Sequence, residues 1–365
     1  MKTFFAILLV SIILVITIIF VFNLPATPSN IENPNWLIGW DYRKRHSIEG
    51  SYCAGTDYQI KIITYYGEGV DSRSEVFLNA KCQRSFDDVR FTDDDGLTML
   101  DYWLETKNDG DKAVFWVKVN DNLDVDQDIF IYYGNKTVAS ASNINKTFPF
   151  ADDFSADLNS SKWRLFGAGK VTISNGECKL ESVPNPRGWI YIIGKTLVGT
   201  NYAVRFRSLV IEQADYRWTH HGFATIYNST GTGGRIDEYP NYITASQEAT
   251  FYAWSFRSRA YSNTSRLDLS NFAPQVETFY TYEIQRNGST NVLLKSNDIF
   301  QGSVSTNVSE EQMGAMFSAD NGGSNLYAVT VVDWVVIRKY TANEPAQSAW
   351  GAEETIFGKN ILVFL

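Results

Sequence analysis

The stretch VRFTDDDGLTMLDYWLE, Val89 to Glu105, holds the densest run of oxygen ligands in the chain, with Asp93, Asp94 and Asp95 in succession before Gly96. Carboxylates packed this closely suggest calcium, and Asp93 and Asp95 are the candidate ligands. Calcium asks for about six to eight oxygens, however. The run has neither the regular ligand spacing nor the later Glu of an EF-hand loop. The competing reading is a hairpin: two apolar strands joined by an Asp-Gly turn, a dipeptide that tolerates the positive φ such turns need. Calcium is therefore carried only as a possible cofactor.

Other stretches fail as catalytic motifs. GAGKV, Gly167 to Val171, lacks the first glycine and the Ser/Thr of a phosphate loop. GTGGR, Gly231 to Arg235, has no strand–helix context for a dinucleotide. His220 and His221 are adjacent, so a strand points them to opposite faces, which argues against a zinc pair. No G-x-S-x-G elbow is present. Glycoside hydrolysis needs two carboxylates flanking the bond, and an E-x-D-x-E strand would supply them; none is found. Asp237 and Glu238 are neighbours that point apart, and Asp333 stands alone in its strand, with a nearby cation expected to hold it. Sugar recognition needs aromatic platforms beside polar groups. DYRWTHHGFATIYN and the following DEYPNY supply Tyr216, Trp218, His220, Tyr239 and Tyr242 as candidate ligand-binding residues, against the plainer reading that they fill a core.

The elements that must position these residues read as β. YQIKIITYY, AVFWVKVN and DIFIYYG show the alternation or short apolar runs of strands, with turn clusters between them. The pattern continues to LYAVTVVDWVVIRKY with no amphipathic helix, which predicts an all-β chain of two tandem, jelly-roll-like β-sandwiches. A composition of 44% hydrophobic and 15% aromatic residues supplies ample core and excludes a disordered chain. A formal charge of −9 with no basic cluster excludes nucleic acid as a partner.

Phe4 to Phe22 carries no charge, and its 19 residues span roughly 28 Å as a helix. It is expected to be an uncleaved signal anchor, a single transmembrane helix. The alternatives are a cleaved signal with secretion, or a pilin-type helix. Lys2 precedes the run and the next basic residue is Arg43, which places the bulk of the chain extracellular. The expected segments are anchor 1–24, linker 25–35, first sandwich 36–147, second sandwich 148–354 and tail 355–365. Seven Asn-x-Ser/Thr sequons, at Asn135, Asn145, Asn159, Asn228, Asn263, Asn287 and Asn307, are glycosylation candidates. Cys53 and Cys82 are the expected disulfide, with Cys178 buried and unpaired.

NWLIGWDYRKRHSIEG, DDVRFTDDDGLTMLDYWLE and DQDIFIYYGN, in that order, resemble the domain of unknown function 2341 over Trp36 to Ser142. FADDFS with SKW, and the late VVDWVVIRKYTANEP, resemble the ends of a concanavalin A-like sandwich of the laminin G or pentraxin type. The pairing is similar to that in archaeal and bacterial surface proteins. The resemblance implies a β-rich extracellular fold and no established activity; Trp36, Trp40 and Trp103 fall in its blocks and are expected in the first core. The expected function is a non-catalytic carbohydrate-binding or adhesion module, with the membrane and with glycans or other surface proteins as partners. The alternatives are a structural envelope or appendage subunit, and a glycoside hydrolase on the second sandwich.

Overall fold

The alternating strands do pair into sandwiches. The computed structural model describes residues 35–184, 188–211, 218–225, 242–248, 253–260, 263–269, 274–288, 290–321 and 326–356. The Phe4–Phe22 run, Tyr216, Tyr239, Asn228 and most of the tail lie outside them. Among the described residues no helix is long and apolar enough to cross a membrane. Residues 37–365 form one compact unit.

The first sandwich has two sheets. One orders β23 (Ala346–Trp350), β1 (Tyr42–Glu49), β7 (Gln127–Tyr133) and β4 (Arg90–Asp93), with β24 (Glu354–Thr355) also on β1. The other orders β3 (Glu75–Phe77), β2 (Tyr58–Tyr65), β6 (Lys112–Val119) and β5 (Tyr102–Asn108). β23 and β24 come from the far end of the chain, so residues 346–355 complete the first sandwich rather than continue the second. His46 on β1 stacks on Trp350 of β23, ring centroids 3.9 Å apart, and fastens that return.

The second sandwich pairs an eight-stranded with a seven-stranded sheet. The first runs β10 (Lys170–Ser174), β11 (Glu177–Glu181), β22 (Val329–Lys339), β13 (Tyr202–Val210), β18 (Tyr280–Asn287), β19 (Asn291–Ser296) and β20 (Ile299–Val304), with β8 (Phe150–Asp152) on β22. The second runs β17 (Asn263–Asp268), β16 (Ala253–Ala260), β15 (Tyr242–Glu248), β14 (Trp218–Ala224), β21 (Gly314–Asp320), β12 (Trp189–Gly194) and β9 (Trp163–Gly167). Ile190, Ile192, Phe223, Ile243 and Phe317 from the seven-stranded sheet meet Val204, Phe206, Ile284 and Val335 from the other in one apolar core.

Period-two alternation then decides what the opposite faces carry. On β6, Phe115 and Val117 enter the first core while Trp116 faces away. On β5, Tyr102 enters that core, so Trp103 is turned outward; it packs on Trp334 of β22 at 5.0 Å. The expectation that Trp103 fills the first core is corrected on that ground. Trp103, Trp116, Phe148, Trp334 and Val336 instead form an apolar seam where the two sandwiches meet. Asn143 caps the one-turn helix α1 (Ile144–Thr147), accepting from the Lys146 N–H, and Ile144 joins the seam.

Candidate functional site

The outward face of the seven-stranded sheet carries the residues that suggested a ligand. His221 points into the sandwich, its ring nitrogens 3.1 Å from Ser208 Oγ and 3.0 Å from Thr330 Oγ1. His220, one residue earlier, therefore faces outward, with Trp218 and, from β15, Tyr242. Burial lowers the His221 pKa to about 3. His220 is pushed well below its ordinary value by burial first, then by the positive charge of Arg257. Both are neutral near pH 7. Gly222, at φ 152°, follows the histidines; a Cβ there would lie 2.3 Å from the Ile243 carbonyl oxygen, so the strands close only around glycine.

Register puts the chemistry of this face in rows. Trp189 on β12 stands opposite Asp320 on β21, Asp320 opposite Trp218 on β14, and Trp218 opposite Glu248 on β15. Directly opposed residues share a face, so two carboxylate positions flank one tryptophan. They are two strands apart, about 10 Å between Cα atoms. Next along lie Tyr191, Ser318 and His220, and further along the same face Tyr191 joins Ile193, Tyr242 and Met316 in a buried apolar cluster with Phe166 and Trp189 against it. Trp218, His220 and Tyr242 thus lie on one face of the sheet. The sequence reading missed Asp320 and Glu248, which sit on strands 72 residues apart, because it sought the pair along a single strand.

The opposite, eight-stranded sheet meets the first sandwich through a second cluster. Arg205 of β13 binds Glu105 through two nitrogens, at 2.9 and 3.2 Å, and also reaches Asp298 at 2.7 Å and Glu283 at 3.3 Å. Arg338 of β22 bonds Glu283 at 2.7 Å and Glu344 at 2.7 Å. Both guanidinium groups lie over Trp116, 5.6 and 5.3 Å from its ring. Glu105 is the extra residue where the β5–β6 register shifts between Leu104 and Thr106, and the bulge aims it here. Lys61 adds an ion pair to Asp298 at 3.0 Å. A cleft of about 220 Å³ opens beside these groups, lined by Tyr58, Gln59, Lys295 and Gln347 among others. Glu283 is held far below the usual carboxylate range: burial works against ionisation, and Arg338 and Arg205 outweigh it. Asp298 is lowered against burial by Arg205 and Lys61. Neither Glu283 nor Asp298 is kept protonated to serve as an acid, so the cluster reads as an ionic lock between the sandwiches.

The remaining candidates resolve locally. Asp95 spends its carboxylate inside the hairpin turn, accepting from Leu97 N–H at 2.8 Å, Thr98 N–H at 2.7 Å and the Thr98 hydroxyl at 2.6 Å. Asp93 accepts from Asp94 N–H at 3.0 Å. Among the described residues no group of three or more His, Cys, Asp or Glu is placed to hold a metal ion, so the pair Asp93 and Asp95 is not completed into a calcium site. The Cys53–Cys82 disulfide is corrected: both thiols are free. Cys53 sits exposed in a turn at φ 68°, whereas Cys82 is buried in the first core, where burial and Asp88 push its pKa up to about 12. Cys178 is buried and free as expected. Asp333 is held by Arg207.

Among the sequons, Asn145 and Asn159 are exposed, their amide oxygens accepting from Lys162 and from Ser161. Asn135 accepts from Thr137, and the Asn307 amide donates to Ser265 at 2.8 Å. Asn287 ends β18, and Asn263 begins β17.

Residues 85–166 match the family model Domain of unknown function (DUF2341). The match begins after β3 and ends on β9, so it is shifted toward the second sandwich relative to the resemblance over Trp36 to Ser142. Among curated proteins no sequence matches the chain. Solved structures do. One comes from work on endo-acting O-glycanases with which members of the human gut microbiota initiate mucin breakdown: 12% identity, TM-score 0.43, covering 53% of this chain and 99% of that one. Another is an endo-β-1,3-glucanase from Pyrococcus furiosus: 13% identity, TM-score 0.42, covering 54% and 95%. A third is a glycoside hydrolase family 16 endo-glucanase from Bacteroides ovatus: 11% identity, TM-score 0.39, covering 52% and 99%. The expected sandwich agrees with these chains. The expectation of a non-catalytic, non-enzymatic module is overturned by the same comparison, since these matches are glycan-cleaving enzymes. Likeness at this level transfers no catalytic residue.

Proposed function

We propose that the second sandwich hydrolyses glycosidic bonds on the outward face of its seven-stranded sheet, with Asp320 and Glu248 as the working carboxylates. The observation that carries this reading is their common register row on either side of Trp218. Glycoside hydrolysis needs one carboxyl to protonate the leaving oxygen and another to activate water or attack the sugar. Two positions about 10 Å apart at Cα bracket the separations such pairs use. Trp218 between them offers a ring on which a pyranose can stack, and the buried Tyr191 and His220 lie in the next row. The apolar cluster further along the same face packs against that row.

The expectations of place join this proposal. Phe4–Phe22 anchors the chain in a membrane, and the sandwiches work outside on glycan polymers.

The test is release of reducing ends from a β-1,3-glucan and from mucin O-glycans by the full-length chain. Asp320→Asn and Glu248→Gln are each expected to lower the rate by about 10²–10⁴-fold, the usual share of an acid–base group. Unchanged rates in both variants, or binding without cleavage of any polymer, overturn the reading.

A further inference from the structure

Four of the sequons, at Asn135, Asn145, Asn159 and Asn307, are described at both the asparagine and the hydroxyl residue two positions on, and they present that pair differently. At Asn159 the side chain is exposed and folds into an Asx turn. Its Oδ1 accepts from the Ser161 N–H at 2.8 Å and from the Ser161 hydroxyl at 2.7 Å, and Ser161 is exposed as well. Both donors fall on Oδ1, and among the described residues no hydrogen-bond partner is placed on Nδ2. The turn is held from below. The Asn159 carbonyl accepts from the N–H of Lys162 at 3.0 Å and of Trp163 at 2.9 Å, and the Ser160 carbonyl accepts from Lys195 Nζ at 2.6 Å. At Asn145 the hydroxyl is out of play: Thr147 is fully buried and its Oγ1 donates to the Asn143 carbonyl at 2.8 Å, while Lys162 occupies Asn145 Oδ1. At Asn307 the amide nitrogen itself is spent on Ser265 at 2.8 Å, and the buried Ser309 accepts from the Glu311 N–H at 3.1 Å. Asn135 repeats the Asx turn onto Thr137, at 3.2 Å for both contacts, but is half-buried, and its Nδ2 lies 3.0 Å from where a Cβ on Gly39 would stand.

We propose that Asn159 is the N-glycosylation site of the folded protein, with Asn135 a slower second and Asn145 and Asn307 unmodified. The donor is a polyprenyl-phosphate-linked oligosaccharide, acted on by a transferase from outside the chain. Asn159 Nδ2 bonds to the anomeric carbon and the bond from that carbon to the phosphate oxygen breaks. The lipid phosphate leaves with the electron pair, and the amide proton passes to a base of the transferase. An amide nitrogen is a weak nucleophile, because its lone pair is shared with the carbonyl. The acceptor must offer that nitrogen unspent, with the hydroxyl two residues on beside the same amide. Among the four, Asn159 does both on an exposed turn. Trp163 opens β9, an edge strand of the seven-stranded sheet, so a glycan at Asn159 also stands beside an unpaired strand edge, where bulky polar cover opposes edge-to-edge association. β12 and β21 separate β9 from Trp218 on β14, so the site is independent of the hydrolase reading. In the cell the modification requires the exported placement proposed above; with purified components it does not.

The experiment is glycosylation in vitro. The folded full-length chain, made in a host without N-glycosylation, is given a lipid-linked oligosaccharide and an oligosaccharyltransferase, and each sequon is read by peptide mass spectrometry. Synthetic peptides spanning the four sequons are run beside it. In the folded chain, occupancy at Asn159 is expected to exceed that at Asn145 and Asn307 by about tenfold or more, because those two wait on local opening. The peptides carry no fold and are expected to lose that ranking. Ser161→Ala is expected to abolish modification of Asn159 and Ser161→Thr to retain it, with unchanged tryptophan fluorescence showing that the fold persists in both. Asn159 left unmodified in the folded chain, Asn145 or Asn307 modified as readily, or modification persisting in Ser161→Ala overturns the inference. The same ranking in the peptides does so too, since the preference then belongs to local sequence and not to the turn.

Discussion

The two outward faces of the second sandwich treat charge in opposite ways. On the eight-stranded sheet, Arg205 and Arg338 are buried among Glu105, Glu283, Asp298 and Glu344, and every guanidinium group has a carboxylate within 3.3 Å. On the seven-stranded sheet, like is placed beside like: arginine opposite arginine in one row, and Asp320 and Glu248 around a tryptophan in another. Compensated charge holds parts together, because buried ions survive only when paired. Like-signed side chains set directly opposite on paired strands instead cost the fold. The difference marks the eight-stranded face as the lock between the sandwiches.

The comparison breaks most visibly at Arg205. Arg205→Ala leaves Glu105 and Glu283 buried without their cation, and removing one member of such a cluster costs about 3–5 kcal/mol. Urea unfolding is expected to show that loss; a cost below about 1 kcal/mol, typical of a surface pair, would dissolve the distinction.

Acid probes the paired and buried groups together. His46 is lowered to about 4 by burial and His221 to about 3. Each binds its proton more readily unfolded, near pH 6.5, so the stability it contributes is full above that value and is lost as pH falls toward its folded value. At roughly 1.4 kcal/mol per pH unit, the full shifts are worth about 3 kcal/mol for His46 and about 5 kcal/mol for His221. Glu283, lowered by its arginines, adds a loss in the same direction below about pH 4.5. Unfolding free energy measured from pH 7 to 4 is expected to fall steeply, and His46→Asn to remove part of that slope; a flat profile would contradict the burial of both rings.

Asp95 is spent within one turn and belongs to neither face. Asp95→Ala is expected to cost about 1 kcal/mol, the net worth of its hydrogen bonds, and added calcium is expected to leave the melting temperature unmoved; a calcium-dependent rise would restore the metal reading. The smallest effect sharpens the contrast. Arg266→Gln removes both the like-charge opposition to Arg257 and the exposed ion pair with Asp268, and is expected to change stability by less than about 0.5 kcal/mol. Equilibrium unfolding checks the size of the change, and a clear loss would mean that the row is structural.

The strand alternation that built both faces was legible from the residues. YQIKIITYY and AVFWVKVN read as strands and are strands, and the opposite aim of His220 and His221 follows from a period of two. Alternation did not reveal which face of a strand meets what. Trp103 looked like first-core material and lies in the seam, because Tyr102 beside it takes the core. Cys53 and Cys82 looked like partners and are not, because one sits exposed in a turn and the other in the core.

The sequence by itself determined the β class, the sandwich count and the hairpin at Asp95, since these rest on contacts between near neighbours and on hydrophobic period. Only the tertiary structure decided that β23 and β24 return to the first sandwich, that Arg205 reaches Glu105 100 residues away, and that Asp320 and Glu248 share a row. Those placements depend on strand order and register between distant segments. Pairing of this kind is fixed by how whole faces bury against one another, a property that no local run of residues carries.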